Sequence, residues 1–249
     1  MSLSDFTSVG FIGLGAMGKH MASQLALKLP PNARLHIYDI ARAPMEELTS
    51  KYPTTQITTT TTTTTTTDPT TKTTTFYDAP VSGGTLSAAT GTIAFFLGCA
   101  STSPHLPQLT TLLHLMGSTV IPCGNPSAGL TAKLCNNYLS GLIAIGSSEA
   151  LNMGIHTGLD PRVLSRVFAA GTAQNAICDR YNPCPGVVAD APSSQGYEGG
   201  LKVQLMKKDF GLAVGLAGRV GARLVLGEKG LETYQAVAED PECSGRDSR

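Results

Sequence analysis

The spacing of hydrophobic residues changes several times along this chain, and the changes mark its elements. Residues 8–14 (SVGFIGL) form a short apolar run of the kind a buried parallel strand gives. Over residues 15–29 the spacing becomes helical. Met17, Met21, Leu25 and Leu29 recur every four positions along one face, and Pro30 and Pro31 stop the helix. Residues 34–40 (RLHIYDI) predict a second strand carrying Asp39 near its end, and residues 44–51 a further helix. Strands are expected again at 75–81, 91–97 (GTIAFFL) and 118–122 (STVIP). From Gly124 the pattern becomes helical. Residues 129–154 predict a long apolar helix, followed by Leu159-Asp160-Pro161, an Asp N-cap with Pro at the first helical position. Residues 173–197, rich in Pro, Asn, Ser and Gly, read as loop, and two helices near 201–220 and 228–239 finish the chain. A front half that alternates strand and helix before a helical rear predicts an α/β domain over 8–123 and an all-α domain over 124–244.

Composition changes this picture at one place. Charged residues make up only 14% of the 249 positions, and threonine supplies much of the missing polarity. Between Thr54 and Thr75, seventeen of twenty-two residues are Thr, with an unbroken run of ten from Thr58 to Thr67. Polythreonine has strand propensity but no apolar face, so it is a poor substitute for the buried Val/Ile/Leu strands of a parallel sheet.

Lys plus Arg balances Asp plus Glu at 18 each, which argues against a nucleic-acid or anionic-membrane binder. No apolar run reaches the length of a membrane span. The first strand begins within about ten residues of Met1, so the residues themselves support a soluble, cytoplasmic protein without a targeting segment. The six cysteines (Cys99, Cys123, Cys135, Cys178, Cys184, Cys243) form no CxxC pair and no cluster with His. They are expected to be reduced, with no metal site.

Four constellations carry chemistry. Gly13-Leu14-Gly15-Ala16-Met17-Gly18 is a GxGxxG that leaves a strand and opens a helix. Gly13 makes the tight turn, Gly15 admits a pyrophosphate close to the backbone, Gly18 packs helix on strand, and the helix N-terminus receives the phosphates. Asp39, 21 residues beyond Gly18, suits the ribose hydroxyls and repels a 2′-phosphate, favouring NAD over NADP, although Arg42 lies nearby. The second constellation, Asp78-Ala79-Pro80-Val81-Ser82-Gly83-Gly84, offers a hydroxyl and open backbone N–H groups to a small carboxylate; a plain turn is the bland alternative. In the third, 129–137 (GLTAKLCNN), Lys133 and Asn137 share a helix face, and a lysine among apolar residues can act as acid or base. The fourth, 205–210 (LMKKDF), reads by itself as the wet face of an amphipathic helix.

Taken in order, these motifs resemble the β-hydroxyacid dehydrogenase family. The segments NPCPGV, Tyr197-Glu198-Gly199-Gly200 and Asp240-Pro241-Glu242-Cys243 resemble its hydroxyisobutyrate branch. The resemblance implies a Rossmann-like N-terminal domain followed by an all-α domain. It implies NAD-dependent oxidation of 3-hydroxyisobutyrate, or a similar small 3-hydroxy acid, to its semialdehyde in valine catabolism. By the same resemblance Lys133 is the catalytic lysine, and Ser82, Gly83, Gly84 and Asn137 bind substrate. Gly13, Leu14, Gly15, Ala16, Met17, Gly18, Asp39 and Lys208 hold the cofactor. A homodimer or homotetramer is implied, with the mitochondrial matrix as the alternative compartment.

The chain departs from the family between its second strand and DAPVSGG. Thirty-nine positions separate Asp39 from Asp78 and the Thr-rich tract fills twenty-two of them. A strand with its crossover needs roughly 25–30 residues, so there is too little room for about two units of a six-stranded sheet. Ser127 stands where the family more usually has Gly, and the chain stops near the start of the family's last helix. Two other readings therefore stand beside the dehydrogenase: an impaired member serving as an oligomerising or binding module, and a semialdehyde or glyoxylate reductase of the same superfamily.

Overall fold

The first strand, β1 (Ser8–Ile12), and the second, β2 (Arg34–Tyr38), pair in parallel over five residues, from Ser8↔Arg34 to Ile12↔Tyr38. Between them runs α1 (Gly18–Lys28), which buries Ala22, Leu25 and Ala26. Its last cap, Leu29, is already extended because the ring of the following proline disfavours helical backbone there. The second crossover helix, α2 (Arg42–Lys51), buries Met45 and Leu48. These elements belong to a computed structural model that describes residues 6–53, 57–59 and 75–249. Apart from 57–59 and Thr75, the Thr-rich tract lies outside the described residues.

A third strand, β3 (Ile57–Thr59), begins inside that tract and pairs with β2 in parallel, Leu35↔Ile57 to Ile37↔Thr59. The sequence reading placed no strand there. It overlooked that Ile57 supplies one apolar side chain, which packs against the core, while backbone hydrogen bonds need no particular side chains.

The second sheet holds β4 (Val81–Ser82), β5 (Ile93–Leu97) and β6 (Gly117–Pro122), in the order β4-β5-β6. The strand expected over 75–81 is corrected to two residues, antiparallel to β5. Residues 78–80 still run beside β5, since Gly98 N–H donates to Asp78 O (2.8 Å) and Phe96 N–H to Pro80 O (2.9 Å). Pro80 itself has no N–H to give a ladder. Two helices went unread: α3 (Gly84–Thr90) and α4 (Leu106–His114). For α4 the signal was present in Leu106, Leu109, Leu112 and Leu113, with Pro107 in the first turn.

The described strands form two sheets of three. Residues 60–74, between β3 and the second sheet, lie outside the described residues. A shared core joins the two sheets. Leu35 and Ile37 belong to the same buried cluster as Ile93, Phe95 and Leu97, and Gln24 of α1 donates to Ala89 O of α3 at 2.7 Å.

The remainder is helical. It begins with α5 (Ala128–His156), followed by α6 (Pro161–Ala170), α7 (Ala176–Arg180), α8 (Val203–Val220) and α9 (Gly227–Glu239). Asp160 caps α6 as expected, accepting from Arg162 N–H at 2.8 Å. The expected loop over 173–197 is corrected: it contains α7, capped by Asn175 accepting from Cys178 N–H (2.9 Å), and a short 3-10 helix, Pro192–Gln195. Phe210, fully buried, stands against Gly141 and Gly230, where added Cβ atoms would crowd its ring. By internal contacts the chain divides into Met1–Lys133 and Leu134–Arg249, inside α5. Among the described residues no helix is long and apolar enough to cross a membrane.

Candidate functional site

The first unit contains the glycine turn. Gly13 sits at φ +92°, backbone that an L side chain rarely adopts, and its N–H donates to Tyr38 O at 2.9 Å. A Cβ on Gly18 would strike the Gly13 carbonyl oxygen, so helix and turn touch with no room to spare. A Cβ on Gly15 would meet nothing within 4 Å. That open approach is what a pyrophosphate needs, and α1 has neither an acidic residue in its first turn nor a side-chain cap to compete with one. The residues present therefore fit a dinucleotide.

Leu14 buries its side chain and commits its N–H to Asp39 Oδ2 (2.5 Å), while Ala41 N–H reaches Oδ1 (2.8 Å). These backbone hydrogen bonds, Ala41 first and Leu14 second, hold the Asp39 carboxyl below the usual carboxylate range. Each oxygen keeps a second lone pair for a ribose hydroxyl. Leu14 thus acts through its backbone, tying the glycine turn to Asp39. Ala16 is exposed and Met17 half-buried against the core.

Ser82 ends β4 half-buried, and Gly83 follows at φ +131°. A Cβ on Gly84 would meet open space, whereas one on Gly83 would press on Ser87. Just upstream lies a residue whose role the motif did not disclose. Asp78 is buried, and its carboxylate accepts from Ser127 N–H (2.6 Å) and Leu130 N–H (2.8 Å). It caps the N-terminus of α5 from 52 residues away, satisfying N–H groups that a helix leaves unpaired at its start. Gly98 and Gly129 are small because Asp78 and the Phe96 carbonyl occupy the space a Cβ would take. Ser127 sits at φ +75°, which explains why glycine suits this position better. Along the same helix Lys133 is half-buried.

In the second unit, Asn137 is buried and its Nδ2 donates to Asp209 Oδ2 at 2.7 Å. Asp209 Oδ1 lies 3.0 Å from Lys208 Nζ. Lys207, 3.6 Å from Glu239, and Lys208 point outward as the amphipathic reading expected. Asp209 does not fit that reading, and sequence reasoning missed it. The available signal was its place beside the buried stripe Val203, Met206, Phe210 and Ala213, where a carboxylate needs a partner. A cavity of about 640 Å³ also lies in this unit, lined by α5, α9 and the C-terminal turn; Asn137, Lys208 and Asp209 are not among its walls. All six cysteines are free thiols.

Residues 127–247 match a family described as NAD-binding of NADP-dependent 3-hydroxyisobutyrate dehydrogenase, and 8–67 and 53–124 match the NAD binding domain of 6-phosphogluconate dehydrogenase. The probable mitochondrial 3-hydroxyisobutyrate dehydrogenase of Dictyostelium discoideum is 33% identical, over 94% of this chain and 86% of its own length. That alignment runs to 282 positions, more than this chain's 249 residues, so the relative carries internal residues that this chain lacks. The 3-hydroxyisobutyrate dehydrogenase of Pseudomonas aeruginosa is 41% identical over 70% of this chain and 58% of that one. The mouse mitochondrial enzyme is 39% identical over 65% and 48%. In these two matches the chain spans only about half the relative's length. The Mycobacterium tuberculosis 3-hydroxyisobutyrate dehydrogenase structure, with L-serine, shares the fold with a TM-score of 0.75 at 22% identity, covering 98% of this chain and 97% of that one.

Proposed function

The chain belongs to the 3-hydroxyisobutyrate dehydrogenase family, and from that premise we propose that it oxidises 3-hydroxyisobutyrate, or a similar small 3-hydroxy acid, to the semialdehyde with NAD. One observation carries the reading: a buried Asn137, its amide already fixed, stands one helical turn from Lys133 along α5. NAD, when bound, supplies the acceptor for the hydride that leaves the carbinol carbon.

The chain's own residues do the rest. Lys133, as its neutral amine, takes the hydroxyl proton during oxidation; as ammonium it polarises the carbonyl in reverse. Asn137 donates an N–H to a substrate oxygen. Ser82 Oγ and the backbone N–H groups of Gly83 and Gly84 receive the carboxylate. Gly13, Gly15, Gly18 and the start of α1 hold the pyrophosphate, Asp39 the adenosine ribose, and Lys208 a cofactor oxygen. The Asp39 carboxylate supports NAD over NADP, since a 2′-phosphate would meet a negative charge.

Assembly into a homodimer or homotetramer is supported by apolar side chains exposed on the second unit, Leu139 (58%) and Met153 (68%) among them. Sedimentation tests this. The Dictyostelium, mouse and Drosophila relatives are named as mitochondrial, which supports mitochondria as the alternative to the cytoplasm, and fractionation tests between the two.

The deciding experiment follows nicotinamide reduction by the purified chain with NAD and 3-hydroxyisobutyrate. Lys133→Ala should lower turnover by about 10²–10⁴-fold with the dissociation constant for NAD nearly unchanged. Near-normal turnover in that variant would remove Lys133 from the acid–base role. Dinucleotide binding without turnover in the parent chain would make it a binding protein instead.

A further inference from the structure

We infer that Asp209 is a positioning residue for the substrate site: its carboxylate fixes which way the Asn137 amide faces and neutralises its own charge against Lys208. The inference rests on the dehydrogenase reading and gives a role to Asp209, which the 205–210 motif contains and to which the resemblance assigned none.

A buried primary amide can point either its oxygen or its nitrogen at a neighbour, and the two orientations present opposite groups to a ligand. Here the choice is removed. A carboxylate only accepts, so the 2.7 Å contact with Asp209 Oδ2 requires Nδ2 of Asn137 on that side. From the other end, Asn136 Nδ2 donates to Asn137 Oδ1 at 3.2 Å. The amide plane is therefore held at both of its polar atoms, and one N–H of Asn137 remains as a donor. A donor fixed in advance suits a hydroxyl or carboxylate oxygen and costs no reorientation when the ligand arrives.

Charge balance completes the arrangement. A bare carboxylate beside a site for an anionic hydroxy acid would repel the substrate. The second oxygen of Asp209 stands 3.0 Å from Lys208 Nζ, so amide, carboxylate and ammonium together carry no net charge. The Asp209 side chain is only 17% exposed against 62% for Lys208, which makes the carboxylate the fixed member of the pair. One side chain thereby sets two residues that lie 71 positions apart in the chain.

The test is Asp209→Asn, which keeps shape but lets residue 209 donate as well as accept, so the Asn137 amide can turn over. KM for 3-hydroxyisobutyrate should rise about tenfold, the order of one charge-assisted hydrogen bond lost, while kcat changes far less. In an Asn137→Ala background the same substitution should add no further loss in KM. An equal loss in both backgrounds, or an unchanged KM in the single variant, overturns the inference. If the parent chain oxidises no hydroxy acid, the dehydrogenase reading fails, and the amide itself still decides. Nuclear magnetic resonance of the Asn137 side-chain amide in the isotope-labelled chain should show one exchange-protected proton, lost in Asp209→Asn. Absence of that protection from the parent chain, or its persistence in Asp209→Asn, overturns the inference.

Discussion

In the first unit two carboxylates hold the candidate site together, and both are held in turn by backbone. Asp39 takes the N–H groups of Leu14 and Ala41, and Asp78 those of Ser127 and Leu130. In the second unit the corresponding carboxylate, Asp209, is held by side chains, the amide of Asn137 and the ammonium of Lys208. A backbone-held carboxylate makes demands on conformation, so its neighbourhood is written in glycines and helix starts. A side-chain-held carboxylate makes demands on particular partners, which any distant stretch of sequence can supply.

Substitutions that tax conformation should therefore act most strongly in the first unit. Gly18→Ala, which drives a Cβ into the Gly13 carbonyl, should destabilise that unit by about 3 kcal/mol and abolish NAD binding. Gly15→Ala, with open space around its new methyl, should leave the melting temperature in place while weakening NAD binding at least about tenfold. Thermal melts beside NAD titrations separate the two; equal loss of stability in both would break the distinction between packing and approach.

Asp78→Ala comes next, at about 1–2 kcal/mol, because it removes the cap from two N–H groups at the start of α5. Urea unfolding reads that cost, and a silent substitution would mean that α5 does not need its distant cap.

A smaller effect is expected in the second unit. Tyr234 Oη donates to Gly141 O at 2.9 Å, and Tyr234→Phe should cost about 1 kcal/mol. Burial pushes the Tyr234 phenol above its ordinary range. The folded state thus binds that proton more tightly than the unfolded chain does. Its stabilisation is complete below the unfolded value near pH 10 and is lost as pH rises beyond it. Urea midpoints at about pH 8 and about pH 11 should diverge more in the parent chain than in Tyr234→Phe. Smallest of all, Ser127→Gly should gain about 0.5–1 kcal/mol by relieving the positive φ, visible as a small rise in urea midpoint. A loss there would show that the Ser127 side chain compensates for its strain.

Much of the first unit was legible because its signals are local. SVGFIGLGAMG encodes strand, turn and helix within a dozen residues, and Leu159-Asp160-Pro161 announced its helix and its cap. The misreadings share a different character. The segment 75–81 has strand composition, yet Pro80 and its position at a sheet end leave only Val81 and Ser82 in a ladder. The segment 173–197 has loop composition, yet Asn175 nucleates α7 inside it. Ile57, within the threonine tract, pairs with Leu35.

The sequence by itself determined the order of elements, the glycine turn with Asp39, the shared face of Lys133 and Asn137, and the family. All of these depend on residues a few positions apart, or on one helix or one strand-turn-helix unit, where periodicity and turn chemistry act directly. Tertiary structure alone decided that the described strands form two sheets of three, that Asp78 caps α5 and that Asp209 orients Asn137. Those outcomes depend on which buried polar groups meet after the chain has folded. A buried carboxylate must find donors, but local sequence does not say which ones.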